Sequence, residues 1–122
     1  MSKFVYYNVN PYGDKEEDCV CRAITFCTGL DYHDVEDKLR LIGRLMNCEK
    51  LCVCCYRHLL DDIFKFKRVD CDYMSVGEFA DNYPYGTYIV RMNGHLSSVK
   101  DNTVYDIFDC RKLICTDAWK VD

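Results

Sequence analysis

The stretch Thr87-Tyr88-Ile89-Val90-Arg91-Met92-Asn93-Gly94-His95-Leu96-Ser97-Ser98-Val99-Lys100-Asp101-Asn102-Thr103-Val104-Tyr105-Asp106-Ile107-Phe108 reads as three β-strands joined by two tight turns. The segment 87–92 is β-prone, led by the β-branched and aromatic residues Thr87, Tyr88, Ile89 and Val90. Asn93-Gly94 is a strong hairpin signal, His95 to Lys100 forms the second strand, and Asp101-Asn102 turns the chain into a third over Thr103 to Phe108. Trp119-Lys120-Val121 supplies a last short strand. With Asp101 and Asn102 as the two central turn residues, Lys100 faces Thr103, Ser97 faces Asp106 and His95 faces Phe108. Side chains alternate between faces, so His95, Ser97 and Asp106 share one face, with Asp106 diagonal to His95. A turn longer by one residue would present Asp109 instead.

Upstream of Pro84 the pattern becomes helical. Phe4 to Tyr7 reads as a short strand, and Asn8 through Asp18 as a loop that turns at Pro11-Tyr12-Gly13-Asp14. A helix follows over Cys19–Cys27, with Asp18 as N-cap and Gly29 as terminator. Val35, Leu39, Ile42 and Met46 recur at three and four residues among Glu36, Asp37, Lys38 and Arg40, which marks an amphipathic helix. A third helix is expected from about Cys52 to Phe64. Ser75-Val76-Gly77-Glu78 has capping-box spacing, so a short fourth helix runs to Asp81 and stops before Pro84. The expectation is an α+β fold, one domain over residues 1–122, with N-terminal helices packed on a C-terminal antiparallel sheet.

Composition narrows the function classes. At 122 residues, 49% hydrophobic and 30% charged, the chain supports one core. The net charge of −4 and a single basic run, Lys65-Phe66-Lys67-Arg68, argue against nucleic acid, because phosphate neutralisation needs several convergent cations. The longest apolar run, Leu51 to Tyr56, is too short to span a bilayer. Asn8, Asn10 and Asp14 break up any signal-like N-terminus. Ten cysteines in this context read as reduced, mostly core-filling thiols of a cytoplasmic protein, not as a secreted disulfide scaffold.

Cys19 stands out among them. In the first turn of a helix its thiolate is favoured by the unpaired backbone N–H groups and the helix dipole. Cys21 points elsewhere, and Cys27 lies deeper. Of the histidines, His33 and His58 sit in locally satisfied, charged helices, whereas His95 opens a strand. A helix-start thiol and a strand-borne His–Asp pair are the parts thiol catalysis requires: Cys19 as nucleophile, His95 as base and then acid, Asp106 as orienter, with Asp109 the alternative. Such a site performs acyl transfer through a thioester on a peptide or protein substrate and needs no cofactor. Backbone N–H groups near Cys19 would hold the oxyanion, with Asn10 or Asn8 as the side-chain candidate.

Asp18-Cys19-Val20-Cys21-Arg22-Ala23-Ile24, with Gly94-His95-Leu96 and Tyr105-Asp106, resembles the papain-like cysteine peptidase superfamily. The first segment is similar to the nucleophile helix of ovarian-tumour-type deubiquitinases. The order Cys, helices, Gly-His, strand, Asp is similar to the peptidase domains of bacteriocin-processing transporters. Small phage and bacterial proteins with an Asn-Pro loop before Asp-Cys-x-x-Arg-Ala and a late Gly-His-Leu are similar too. The resemblance runs from Asn10 to Val121 and implies a papain-like fold with Cys19, His95 and Asp106 as the triad. Papain-like enzymes carry the oxyanion amide as Gln six residues before Cys, a position held here by Gly13, and Asn10 occupies the approximate place. Cys21 stands where the deubiquitinase helix has an aromatic residue.

Two rival functions come from other residues. Cys48, Cys52 and Cys55 at steps of four and three would share one helix face and, with a fourth ligand, hold zinc. Cys52-Val53-Cys54-Cys55 also contains the C-x-x-C spacing of redox motifs. Ten tyrosines suit a non-catalytic binding or inhibitor protein that keeps the fold and lacks the chemistry.

Overall fold

The computed structural model describes residues 1–11, 18–48 and 52–121. The architecture is mixed α+β, with four helices, mostly N-terminal, against a six-stranded mixed sheet, mostly C-terminal. In chain order the elements are β1 (Lys3–Tyr6), α1 (Cys19–Thr28), α2 (Tyr32–Leu45), α3 (Val53–His58), a π-helical turn (Leu59–Ile63), β2 (Lys67–Arg68), α4 (Val76–Asn82), β3 (Thr87–Met92), β4 (His95–Lys100), β5 (Thr103–Asp106) and β6 (Asp117–Lys120). The proposed turn at Pro11-Tyr12-Gly13-Asp14 lies, beyond Pro11, outside the described residues.

Strand order is β1-β5-β4-β3-β6-β2. The expectation of an antiparallel sheet holds for the β6-β3-β4-β5 run and fails at one edge, where β1 pairs parallel to β5 with Phe4 opposite Val104 and Tyr6 opposite Asp106. A meander leaves the outer N–H and C=O row of its last strand open, and the β-prone N-terminal segment fills it without any constraint from a hairpin. At the other edge the basic run contributes β2 instead of a helix end: Lys67 and Arg68 pair with Lys120 and Trp119. β5 ends at Asp106, short of the expected Phe108, and β6 covers Asp117–Lys120 instead of Trp119 to Val121.

The two turns differ. Asp101 and Asn102 both take left-handed backbone (φ 49° and 63°), the geometry that matches the twist of a two-residue hairpin, and Lys100 pairs with Thr103 across them. At Asn93-Gly94 only the glycine is left-handed, at φ 77°.

The sheet carries cores on both faces. Ile89, Leu96 and Trp119 join Val20, Ile24, Val35, Leu39, Leu59 and Leu60 beneath α1–α3. Tyr88, Val90, Met92, Val99 and Val104 join Val76, Phe79 and Ala80 of α4 on the other. Burial of each such large side chain contributes about 1.5–3 kcal/mol. The third helix is not uniform: Phe64 N–H bonds the Leu59 carbonyl at 2.8 Å, a five-residue turn. That widened turn lets consecutive Leu59 and Leu60 both reach 0% exposure. It also aims Asp61 at Trp119 Nε1 (2.7 Å) and at Arg68, which fastens β2.

Candidate functional site

Asp18 is the residue before α1, yet its carboxylate caps no helix N–H. It accepts instead from Arg22, from Asn10 Nδ2 (2.9 Å) and from Tyr32 Oη (2.7 Å). These contacts tie the preceding loop, α1 and the start of α2 into one buried polar knot, and they fix where α1 begins. The first intrahelical bond runs from Arg22 N–H to the Asp18 carbonyl (2.9 Å), so the Cys19 amide precedes the helical ladder.

Asn10 is 6% exposed, and its amide nitrogen is directed at Asp18 and, at 3.4 Å, at Tyr32 Oη. The amide nitrogen is thereby tied into the knot. Asn8 Oδ1 accepts from the Asn10 N–H at 3.0 Å and shapes the same loop. Gly13 lies outside the described residues.

The half-buried Cys19 thiol meets the ring of His95, the first residue of β4. His95 Nε2 lies 2.7 Å from Asp106 Oδ2 at the end of β5. Phe108 packs on the imidazole with ring centroids 4.7 Å apart. Ser98 pairs with Tyr105, which sets Ser97 across from Asp106, and Ser97 Oγ donates to Asp106 Oδ2 at 2.6 Å. Ile107 N–H donates to the other carboxylate oxygen at 2.7 Å. Asp109 lies elsewhere, on the surface, forked to Arg111 (Nη2 to Oδ2, 2.7 Å).

Electrostatics follow from these contacts. Burial works against the charged form of Cys19, but the His95 hydrogen bond, the Leu96 backbone N–H and the charges of His95 and Arg22 outweigh it, so the thiol is held below its ordinary value. Burial likewise disfavours the His95 cation, and the Asp106 bond and Cys19 reverse that, raising the imidazole to about 9. The same bonds from His95 and Ser97 overcome burial at Asp106 and hold its carboxyl below the usual range. All three shifts run the same way, each toward the charged form of its group. It opens on a cavity of about 390 Å³ bordered by Cys19, His95, Val53, Tyr56, Ile107 and Phe108.

Sequence reasoning missed Cys110. Its Sγ sits 3.5 Å from Ser97 Oγ and 3.8 Å from Asp106 Oδ2, fully buried, and burial pushes the thiol up to about 12. Nothing in the spacing of Cys110 marks it, because the chain leaves β5 at a bend before reaching it. The other histidines stand apart: His58 Nδ1 pairs with Asp62 at 2.9 Å, and the His33 N–H is capped by Asp31.

Among the described residues, two groups of three have donor atoms all within 4.8 Å of one another: Cys48, Cys52 and Cys54, and His95, Asp106 and Cys110. Either can ligate a metal, and the second overlaps a catalytic-like triad. In that second group Asp106 Oδ2 already accepts two hydrogen bonds and Cys110 is a buried, protonated thiol, so metal would displace existing bonds. The expected trio of Cys48, Cys52 and Cys55 is corrected by the start of α3. Cys52 has extended backbone (ψ 141°) and lies before the helix, so the helical spacing of 52 to 55 does not apply. Cys55 turns inward and its Sγ donates to the Leu39 carbonyl at 3.2 Å, while Cys54 meets Cys52, the sulfurs 2.9 Å apart. All ten cysteines are free thiols. No helix among the described residues is long and apolar enough to cross a membrane.

No family model, curated protein or solved structure matches this chain.

Proposed function

We propose that the chain is a cysteine hydrolase of papain-like type that cleaves a peptide or isopeptide amide. The observation that carries the reading is the His95 ring, held between the Cys19 thiol and the Asp106 carboxylate at the edge of an open cavity. The Cys19 thiolate attacks the carbonyl carbon, and the Cys19 backbone N–H, ahead of the helical ladder, stabilises the oxyanion. His95 gives its proton to the departing amine as the C–N bond breaks, leaving a thioester on Cys19. His95 then takes a proton from water, which attacks the thioester and releases the acid and the free thiol. Asp106 holds the ring in one tautomer and stabilises its cation. Ten free thiols support a reducing, cytoplasmic setting. The test is limited alkylation with iodoacetamide at neutral pH, mapped by mass spectrometry. Modification concentrated at Cys19 and lost in His95→Ala supports the enzyme; equal reactivity across the exposed cysteines refutes it.

A second reading, a cysteine-rich metal-binding protein, is favoured by the close packing of Cys48, Cys52 and Cys54. Metal analysis of protein purified under reducing conditions decides whether the chain takes an ion at all.

A further inference from the structure

We propose that Cys48, Cys52 and Cys54 form a three-thiolate site for a soft, closed-shell cation of the Zn²⁺, Cd²⁺ or Cu⁺ type. The proposal rests on the metal-binding reading and is independent of the chemistry at Cys19. The thiols converge from two elements. Cys48 follows α2 and is fixed by its N–H bond to the Gly43 carbonyl at 2.8 Å. Cys52 is the residue before α3, and Cys54 lies in its first turn. Their sulfurs lie within 4.8 Å of one another, with Cys52 and Cys54 at 2.9 Å.

A metal–sulfur bond of about 2.3 Å places the sulfurs of a three-thiolate site about 4 Å apart. Binding therefore asks Cys52 and Cys54 to separate by about 1 Å, which rotation about side-chain bonds supplies. The donor set selects the ion. Three sulfurs suit soft and borderline cations and offer nothing to Mg²⁺ or Ca²⁺, which require oxygen. Each thiol that ligates releases its proton to solvent. Cys54 is exposed and the other two are half-buried, so one side stays open to water and the ion exchanges with solution.

The experiment titrates the reduced full chain with Cd²⁺, following the sulfur-to-cadmium charge-transfer absorption and, separately, bound metal per chain. The expected result is one Cd²⁺ per chain, retained in about a hundredfold excess of Mg²⁺. Cys52→Ser and Cys54→Ala should each weaken binding by at least about tenfold, and His95→Gln should leave it unchanged. Cys54 is exposed, so its variant keeps the fold, which far-UV circular dichroism checks. Stoichiometric binding that survives Cys54→Ala and disappears in His95→Gln overturns this site while leaving the metal-binding reading in place. Absence of stoichiometric Cd²⁺ binding overturns both.

Discussion

Replacing Asp106 with Asn keeps the size of the side chain and removes its charge. In the native protein this carboxylate, with its side chain 4% exposed, sits 2.7 Å from His95 Nε2. A hydrogen bond to a charged group at such a site contributes about 1.5–3 kcal/mol. At 1.36 kcal/mol per pH unit, its loss lowers the proton affinity of His95 by about one to two units from its value near 9. The sign is fixed by the pair. In the native protein the His95 hydrogen bond and charge hold the Cys19 thiol down against burial, and a ring of weaker proton affinity withdraws that support, so the thiolate fraction falls. Alkylation of Cys19 by iodoacetamide at pH 7 should therefore slow in Asp106→Asn, by up to about a hundredfold, following the thiolate fraction. Toward the alkaline end of the profile, where the thiolate forms without help from the ring, the two rates should converge. The assay is the pseudo-first-order rate at Cys19 from pH 5 to 10, read by peptide mass spectrometry with circular dichroism as a fold control. Superimposed profiles would show that Asp106 does not sustain the ion pair, and the coupling argued here would be wrong.

Three further substitutions probe the supports of the site. Ser97→Ala removes the 2.6 Å donor to Asp106 and leaves the His95 bond intact; it should shift the same alkylation profile in the same direction by less, and lower the unfolding free energy in urea by about 1.5–3 kcal/mol. Leu39→Ala opens a cavity at a fully buried position of α2, in the core shared with α1, and should cost about 2–5 kcal/mol in the same denaturation experiment. Ser75→Ala breaks the capping box at α4, where Ser75 Oγ accepts from the Glu78 N–H at 3.1 Å; the expected loss is about 1 kcal/mol, with the Cys19 reaction rate unchanged.

The legible parts of the molecule depended on local rules. The Asp101-Asn102 pair has turn chemistry of a definite length, so counting residues across it places Ser97 opposite Asp106; the observed register runs from Lys100–Thr103 to Ser98–Tyr105 in step with that count, and the Ser97 hydroxyl reaches the Asp106 carboxylate. Val35, Leu39 and Ile42 repeat at helical spacing and are all buried in α2. The illegible parts depended on partners distant in sequence or on small local departures. Nothing in Lys3–Tyr6 indicates that its neighbour is β5, or that it runs parallel to it. Lys67 and Arg68 form a strand because Asp61 and Asp117 neutralise Arg68 and β6 offers an open edge. Cys54 replaces Cys55 in the thiol cluster because α3 starts one residue later than the spacing assumed. Asn10 has the right residue type for an oxyanion donor, but burial commits its amide to Asp18 and Tyr32.

The left-handed pair at Asp101 and Asn102 gives this surface turn an unusual intolerance. Exposed hairpin tips are ordinarily where chains absorb insertions without consequence. Here the tip works as a parity bit. Adding or deleting one residue, with β4 and β5 still paired, would turn Asp106 to the opposite face of the sheet and strip His95 of its carboxylate. The core residues of β5 would be inverted with it, since Val104 lies on the same side as Asp106. The number of residues between Lys100 and Thr103 is thus held more tightly than the side chains at 101 and 102, whose own bonds, such as that from the Gly86 N–H to Asp101 Oδ1 at 3.0 Å, lie at the tip. Over evolutionary time the site would therefore be guarded against changes in length more strictly than against changes in composition.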